Sequence, residues 1–366
     1  MQITAAVLRS RSGPFGLEII DLEEPRAGEV LVRVAATGVC HTDMVMRDQD
    51  LPTPQPVVLG HEGAGVVERV GPGVTKVAPG DHVVMTFNSC GHCPSCSDHA
   101  PTYCHEFFPR NFMGARPDGT SGLSKAGETI HANIFGQSSF ATYALCHERN
   151  AVKVTKEARL ETLGPLGCGV MTGAGAVMNA LEVKADRSLV VFGAGAVGLS
   201  AVLAAKAVGA TPIIVVEINP ARLALALNLG ADHALDGRSV PVSERIQAIT
   251  GVGADYAIDT TANLKVMRQA VDCLAPRGVC GLVGASKMGD ELALDAVAVM
   301  SGGRTVRGIV EGDADPDVFI PRLVDLHLAG KFPFERLIAF YPMDQINVAV
   351  KDGEQGRVIK PVVRMA

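Results

Sequence analysis

The chain has 366 residues, a formal net charge of −6 and a pI near 5.9. That length suggests two domains, and the acidic balance argues against a nucleic-acid-binding protein. No apolar signal segment is visible at the N-terminus. The most apolar stretch, residues 189–205, contains glycines and a serine that favour a buried strand and helix over a membrane span. We therefore expect a cytoplasmic protein with neither nucleic-acid nor membrane partners.

The first 90 residues predict antiparallel β-structure. Short apolar, β-branched runs alternate with turn sequences rich in proline and glycine; the runs cover residues 5–8, 29–34, 63–70 and 82–86. We interpret this part as a small barrel. Residues 90–136 are rich in cysteine, proline, glycine and histidine, which predicts a metal-bearing lobe and a long functional loop.

Four cysteines within this lobe have the spacing C-x₂-C-x₂-C-x₇-C: Cys90, Cys93, Cys96 and Cys104. In a chain without a visible export signal, such a cluster indicates metal ligation rather than disulfides. Four thiolates close around a tetrahedral Zn²⁺ and leave no open coordination position, so the site would be structural. An iron–sulfur cluster uses similar spacing and is the main alternative.

From about residue 163 the pattern changes to alternating strands and helices. The strand candidates cover residues 188–192, 212–216, 256–259, 279–283 and 305–310. The helix candidates cover residues 220–229, 243–249, 264–274, 292–300, 317–329 and 343–351. We expect a doubly wound parallel sheet of six strands in one domain, residues 170–310. The other domain then comprises residues 1–169 and 311–366.

A glycine-rich turn, V-F-G-A-G-A-V-G at residues 191–198, joins the first strand of that sheet to a helix. Gly193 permits a tight turn, Gly195 lets a pyrophosphate approach the backbone, and Gly198 allows close packing of helix and strand. The next strand ends before Glu217, where an acid would meet a ribose 2′-OH. The pattern predicts a dinucleotide site; the alternative is an ordinary glycine-rich turn.

A second set of metal-binding residue types is dispersed: Cys40, His61 and Cys168. Their spacing alone does not join them. However, Gly60-His61-Glu62, followed by Gly65, Gly71 and Val74, resembles the zinc signature of the zinc-dependent medium-chain alcohol dehydrogenases. The resemblance includes the four-cysteine lobe and the nucleotide fold, in the family's order. It implies a GroES-like β-barrel catalytic domain and a Rossmann domain that binds NAD⁺.

The resemblance also implies two zinc ions per chain, one structural and one catalytic. Cys40, His61 and Cys168 would bind the catalytic zinc, with water or alcohol in the fourth position. Asp43 would hydrogen-bond His61 and orient its ring. Glu62 would lie behind the metal as a transient ligand; the alternative is a buried salt bridge.

Other roles follow from the same resemblance. Thr42 would take the alcohol proton and pass it to the cofactor ribose, unless its hydroxyl only ties down the loop. Many family members end this relay in a histidine, but Val45 stands at that position here, so the relay ends elsewhere. The implied cofactor contacts are His41 and Lys360 at the pyrophosphate, Thr172, Val197 and, unless it is a solvated charge, Arg222. Glu217 would repel a 2′-phosphate, which favours NAD⁺ over NADP⁺.

Several stretches are similar to bacterial aryl-alcohol (benzyl alcohol) dehydrogenases and their allylic terpene-alcohol relatives: residues 40–43, 86–91, 135–140, 164–169, 309–312 and 330–334. We expect oxidation of a primary aromatic or allylic alcohol to the aldehyde. Phe87, Phe112 and Met113 are candidate pocket walls, although simple packing also explains them.

Three alternatives remain at this point: a broad-specificity alcohol dehydrogenase, a glutathione-adduct (formaldehyde) dehydrogenase, and a non-catalytic protein that binds NAD and zinc. The family's habit of joining sheets through the strand at residues 305–310 implies a homodimer or homotetramer.

Overall fold

The computed structural model of the chain describes residues 1–365. The chain divides into two compact units. The first unit contains Met1–Cys168, Asp315–Leu328 and the residues from Glu335 onward. The second unit contains Gly169–Ala314 and Ala329–Phe334. No helix within residues 1–365 is long and apolar enough to cross a membrane.

The first unit is built mainly from β-strands. In chain order they are β1 (Gln2–Leu8), β2 (Phe15–Leu22), β3 (Glu29–Gly38), β4 (Val57–Val58), β5 (Glu62–Val70), β6 (His82–Met85), β7 (Leu123–Lys125), β8 (Glu128–Ile130), β9 (Tyr143–His147), β10 (Ala151–Val154), β17 (Ile338–Pro342) and β18 (Lys360–Arg364). Its helices are α1 (His41–Arg47), α2 (Pro94–Ser97), α3 (Phe107–Phe112), α4 (Leu160–Leu163), α11 (Pro316–Leu328) and α12 (Ile346–Glu354).

These strands form two sheets. One has the order β4-β1-β2-β7-β8, and the other has the order β10-β6-β5-β3-β18-β17, with β9 also paired to β3. All pairings are antiparallel except that of β17 with β18. The tail therefore supplies two strands to a sheet that begins near the N-terminus, because β18 pairs with β3 at Val362 and Gly38.

The second unit alternates strands and helices. Its strands are β11 (Leu189–Phe192), β12 (Ile213–Glu217), β13 (His233–Asp236), β14 (Ala254–Asp259), β15 (Leu274–Leu282) and β16 (Thr305–Gly308). Its helices are α5 (Gly169–Gly175), α6 (Ala196–Val208), α7 (Pro220–Leu229), α8 (Val242–Thr250), α9 (Leu264–Asp272) and α10 (Ala296–Gly302).

These strands form one parallel sheet with the order β13-β12-β11-β14-β15-β16. The chain runs outward from β11 to one edge and returns beside it as β14, so the order reverses between these two strands. This is the predicted doubly wound sheet. The carboxyl ends of the strands on either side of such a reversal commonly bind ligands.

Several elements of this unit depart from the sequence prediction: helix α5 was not predicted, and β15 begins at Leu274 rather than at residue 279. Two further departures have a clear physical reason. Strand β13 was not among the candidates, because it is an edge strand and only Leu235 of its residues is buried. Helix α10 begins at Ala296 rather than 292, because the carboxylate of Asp295 accepts a hydrogen bond from the Ala298 amide at 3.0 Å. That contact is an N-cap, which defines the first turn of a helix.

Candidate functional site: a metal cluster and a dinucleotide turn

The pairing of β3 with β5 brings the first two candidate ligands together. The register places Gly38 opposite Glu62, so that Cys40 follows the end of one strand and His61 precedes the start of the other. Gly38 has no room for a side chain, since a Cβ there would lie 2.0 Å from a carboxylate oxygen of Glu62. Cys40 and His61 therefore meet at one end of this strand pair.

Asp43 connects these two segments. Its carboxylate accepts hydrogen bonds from the Cys40 amide at 3.0 Å, the Gly60 amide at 3.1 Å and the Nδ1 atom of His61 at 2.9 Å. It also caps α1, a seven-residue helix that the sequence prediction did not include. Because a carboxylate accepts hydrogen bonds, Nδ1 of His61 carries a proton, and in the neutral imidazole Nε2 is the nitrogen whose lone pair can bind a metal.

Cys168 reaches the same place through a short 3₁₀ turn, Gly164–Gly167. A Cβ at Gly164 would lie 2.2 Å from the Glu62 carbonyl oxygen, so this turn can pack on β5 only because the residue is glycine. Thr86 holds the far end of the turn by donating a hydrogen bond from Oγ1 to the Gly167 carbonyl at 2.7 Å.

The resulting cluster contains Cys40, His61, Glu62 and Cys168, whose ligand atoms all lie within 4.8 Å of one another. Nε2 of His61 is buried and has no hydrogen-bond partner among the described residues. A buried nitrogen without a partner, beside two cysteine sulfurs, fits a tetrahedral zinc ion of the open catalytic type.

The electrostatics of the cluster favour a metal-binding thiolate. The hydrogen bond with Cys168 lowers the pKa of Cys40 well below its usual value against the effect of burial, and the charges of Lys360 and His61 act in the same direction. Burial acts to lower the pKa of His61, but the Asp43 carboxylate and the Cys40 thiolate outweigh it and raise that pKa.

Glu62 is paired with Lys360. The ammonium Nζ lies 2.8 Å from both carboxylate oxygens and 3.2 Å from the Val39 carbonyl, and Lys360 is 3% exposed. Burial opposes the charge of Lys360, but the Glu62 carboxylate outweighs it and raises the pKa of the ammonium. All three N–H donors are used here, so the structure pairs Lys360 with the acid behind the metal cluster. The predicted contact of Lys360 with a pyrophosphate stays a prediction.

The remaining relay and cofactor candidates of this unit lie on α1. Thr42 is half-buried, and its Oγ1 lies 3.9 Å from the Cys40 sulfur, so this hydroxyl borders the metal cluster. His41 is exposed at the start of the helix, and Val45 is half-buried on it.

The four-cysteine lobe forms a second cluster. All four sulfur atoms lie within 4.8 Å of one another, and every cysteine of the described chain is free of disulfides. Backbone N–H groups point at these sulfurs; those of His105 and Cys96 lower the pKa of Cys93 to about 6. Four sulfurs surrounded by N–H donors fit a closed structural zinc site.

The glycine-rich turn of the second unit has the shape that a dinucleotide requires. Gly193 has a φ of +93°, a conformation that favours glycine, and a Cβ at Gly198 would lie 1.9 Å from the Gly193 carbonyl oxygen. No atom lies within 4 Å of the Cβ position of Gly195, which leaves its backbone open. Gly195 caps the thirteen-residue helix α6, whose first N–H groups can bind a pyrophosphate.

Glu217 lies beside this turn, at the carboxyl end of β12. Its carboxylate accepts hydrogen bonds from the amides of Ala194 at 2.8 Å and of Ile218 at 2.7 Å. Val197 is half-buried in the first turn of α6, and Arg222 is half-buried on α7. Thr172 lies elsewhere in the unit, buried, and donates from Oγ1 to the Glu311 carboxylate at 3.2 Å.

An aromatic cluster adjoins the metal cluster in the first unit. Phe87 packs on Phe107 with ring centroids 5.5 Å apart, and Phe112 packs edge-on against Phe135 at 5.1 Å. Phe135 in turn stacks on His61. The sequence prediction named Phe87 and Phe112 but missed Phe107 and Phe135, because an isolated phenylalanine carries no signal of its partners. Met113, the third predicted wall, is 52% exposed.

Comparisons with known proteins find matches to both units of the chain. The chain matches the family descriptions "Alcohol dehydrogenase GroES-like domain" over residues 26–156 and "Zinc-binding dehydrogenase" over residues 196–326. A geraniol dehydrogenase from Castellaniella defragrans is 50% identical over 361 residues, with 98% of this chain and 96% of that relative covered. The chain belongs to the zinc-dependent medium-chain alcohol dehydrogenase family.

Two solved structures have the same fold as this alcohol dehydrogenase. A zinc-binding-domain alcohol dehydrogenase from Burkholderia ambifaria is 54% identical, with a TM-score of 0.99 and coverage of 100% of this chain and 99% of the other. The benzyl alcohol dehydrogenase from Acinetobacter calcoaceticus is 46% identical, with a TM-score of 0.98 and full coverage of both chains. The predicted combination of a GroES-like and a Rossmann domain is thus confirmed.

The role of Asp43 can be tested by Asp43→Asn, which keeps the side-chain size and removes the charge. We expect one zinc per chain to be lost at about 10- to 100-fold lower chelator concentration than in the wild type, because partners that orient a metal-binding histidine contribute that much to metal affinity. Atomic absorption after dialysis measures the zinc that remains. Asp50→Asn, at an exposed position just after the same helix, is the control; equal zinc retention in the two variants would contradict the assignment.

Proposed function

We propose that this alcohol dehydrogenase oxidises primary aromatic or allylic alcohols to aldehydes with NAD⁺, at a zinc ion held by Cys40, His61 and Cys168. The observation that carries the proposal is the cluster of half-buried Cys40 with buried His61 and Cys168, in which the His61 Nε2 has no hydrogen-bond partner among the described residues. A zinc with one open position would act there as a Lewis acid that lowers the pKa of a bound alcohol. NAD⁺ would supply the hydride acceptor.

The chain's own residues orient the reactants and move the proton. Asp43 holds the His61 ring, and the Glu62–Lys360 pair places a neutralised acid behind the cluster. The hydroxyl of Thr42 borders the Cys40 sulfur, so its Oγ1 can accept the alcohol proton and pass it toward the cofactor ribose. Val45 cannot carry that proton further, and we propose that solvent takes it.

The substrate class is supported by the aromatic cluster and by the names of the relatives. Geraniol and benzyl alcohol are both primary alcohols with an unsaturated group beside the reacting carbon, and dehydrogenases of these names are about half identical to this chain. Phe107 and Phe112 are half-buried and offer flat apolar surface beside Phe135, which stacks on His61 of the metal cluster. Such surface favours a flat, conjugated substrate over a small aliphatic one.

A substrate panel with benzyl alcohol, geraniol, ethanol and the formaldehyde–glutathione adduct tests this proposal. We expect kcat/KM for benzyl alcohol or geraniol to exceed that for ethanol by about 100-fold or more, because burial of the larger apolar group contributes about 3 kcal/mol. Highest activity with ethanol or the adduct would support one of the alternative dehydrogenases.

Zinc analysis should find two ions per chain; one ion and no activity would support a non-catalytic protein.

The choice of NAD⁺ over NADP⁺ rests on Glu217. Its carboxylate lies at the end of β12 beside the glycine-rich turn, where it would accept a hydrogen bond from a ribose 2′-OH and repel a 2′-phosphate. We propose that His41, Thr172, Val197 and Arg222 make further contacts with the cofactor.

Glu217→Gln should reduce the preference for NAD⁺ over NADP⁺ by about tenfold, since the repulsion of a phosphate is removed while the side-chain size is kept. The ratio of the two kcat/KM values measures the preference. Asp232→Asn is a matched control, because Asp232 accepts from the Ile213 amide at the opposite end of the same strand. An unchanged cofactor ratio in Glu217→Gln would remove the basis of this assignment.

We also propose a homodimer or homotetramer in the cytoplasm. Strand β16 forms an edge of the parallel sheet, and the neighbouring helix α10 exposes Val297 and Met300; unpaired edges and exposed apolar side chains favour association. Free cysteines throughout the described chain suit a reducing compartment.

Light scattering should give two or four times the chain mass of 38.2 kDa. A Met300→Glu variant should shift that mass downward, because the added charge opposes burial of α10 against a second copy. A monomeric mass in the wild type at micromolar concentration is incompatible with the proposed assembly.

A further inference from the structure

Phe135 contacts the ring of a candidate metal ligand directly. Its ring stacks on the imidazole of His61 with centroids 4.4 Å apart and an interplanar angle of 22°. Phe135 is 3% exposed and His61 is fully buried, so neither ring has solvent beside it into which it could tilt. The stack lies over the face of the imidazole, whereas Asp43 contacts its edge at Nδ1.

The backbone around Phe135 is held in an unfavourable conformation. Phe135 has a φ of +49°, and Asn133 and Ser138 of the same segment also have positive φ, at +65° and +58°. The left-handed region is costly for a residue with a Cβ, and it persists only where surrounding contacts impose it.

Two side chains, those of Asn150 and Gln137, hold the segment in this conformation. Asn150 donates from Nδ2 to the Phe135 carbonyl at 3.2 Å and to the Thr86 carbonyl at 3.0 Å. Gln137 donates from Nε2 to the His61 carbonyl at 2.9 Å, and its Oε1 accepts from the Gly63 amide. The segment that carries Phe135 is therefore bound to the backbone of His61 and of Gly63.

Phe135 also contacts two further phenylalanine rings. Phe107 and Phe112 contact Phe135 edge-on, with ring centroids 6.5 Å and 5.1 Å away and interplanar angles of 89° and 78°. Edge-to-face contacts of this kind are favourable and directional. The ring of Phe135 is thus packed against these two phenylalanines as well as against His61.

We infer that Phe135 is a positioning residue for His61. The hydrogen bond that Nδ1 donates to Asp43 still permits the imidazole to tilt about that contact, and the stacked ring of Phe135 removes that freedom. With both contacts in place, Nε2 keeps one direction and remains without a protein partner. The inference rests on the proposed zinc site, to which it adds the residue that sets the plane of the histidine ligand.

Zinc release tests this inference separately from catalysis. The wild-type holoenzyme and its variants are mixed with a chromogenic chelator, and release is followed over time; two sites give two phases. Phe135→Leu should accelerate the phase of the Cys40–His61–Cys168 site by about 10- to 100-fold, the effect usual for groups that orient a metal ligand. The four-cysteine phase should not change. Phe135→Tyr keeps the ring and should release zinc nearly as slowly as the wild type.

Phe332→Leu is the matched control, since Phe332 is fully buried in the second unit and pairs with Phe334 rather than with a metal ligand. If Phe135→Leu releases zinc no faster than this control, the positioning role is wrong. If both phases accelerate together in Phe135→Leu, the residue is only part of the general packing and the role is again wrong. A wild-type protein with a single zinc per chain would instead contradict the proposed function.

Discussion

The candidate catalytic site depends on one buried carboxylate. Asp43 is fully buried, and a charge without partners in such a place would be very costly. It is stabilised by three donors, the amides of Cys40 and Gly60 and the imidazole of His61. The same three bonds start helix α1, hold the turn before β5 and set the tautomer of the metal ligand. The Asp43 carboxylate therefore both stabilises the local backbone and orients the metal ligand His61.

Close backbone approaches surround this carboxylate. Gly38 lies against Glu62, and Gly164 against the carbonyl of the same residue, at distances that leave no room for a Cβ. Because these positions are glycines, β3, β5 and the turn before Cys168 can pack closely enough to bring the ligand atoms within 4.8 Å of one another. Glu62 and Lys360 form an ion pair beside the metal cluster. The lysine neutralises the charge of this second buried acid.

The two units differ in how far the sequence predicted them. In the second unit, fully buried strands such as β11 and β12 read as continuous apolar runs, so that they and the glycine-rich turn were predicted closely. Edge strand β13 was missed, because it has little apolar surface to bury. In the first unit, helix α1 was missed, since seven residues held by one capping carboxylate carry no helical periodicity.

The sequence by itself determined which residue types were available: the four-cysteine spacing, the glycine-rich turn with Glu217, and, through family resemblance, Cys40, His61 and Cys168 as a possible set. These signals can be recognised in the sequence, because each one lies within a short stretch or belongs to a motif whose order along the chain matches that of the family. Only the tertiary structure decided that Lys360 pairs with Glu62 and that Phe135 stacks on His61. The reason is that these pairs are distant in the chain, and their proximity depends on strand pairing and strained turns rather than on local pattern.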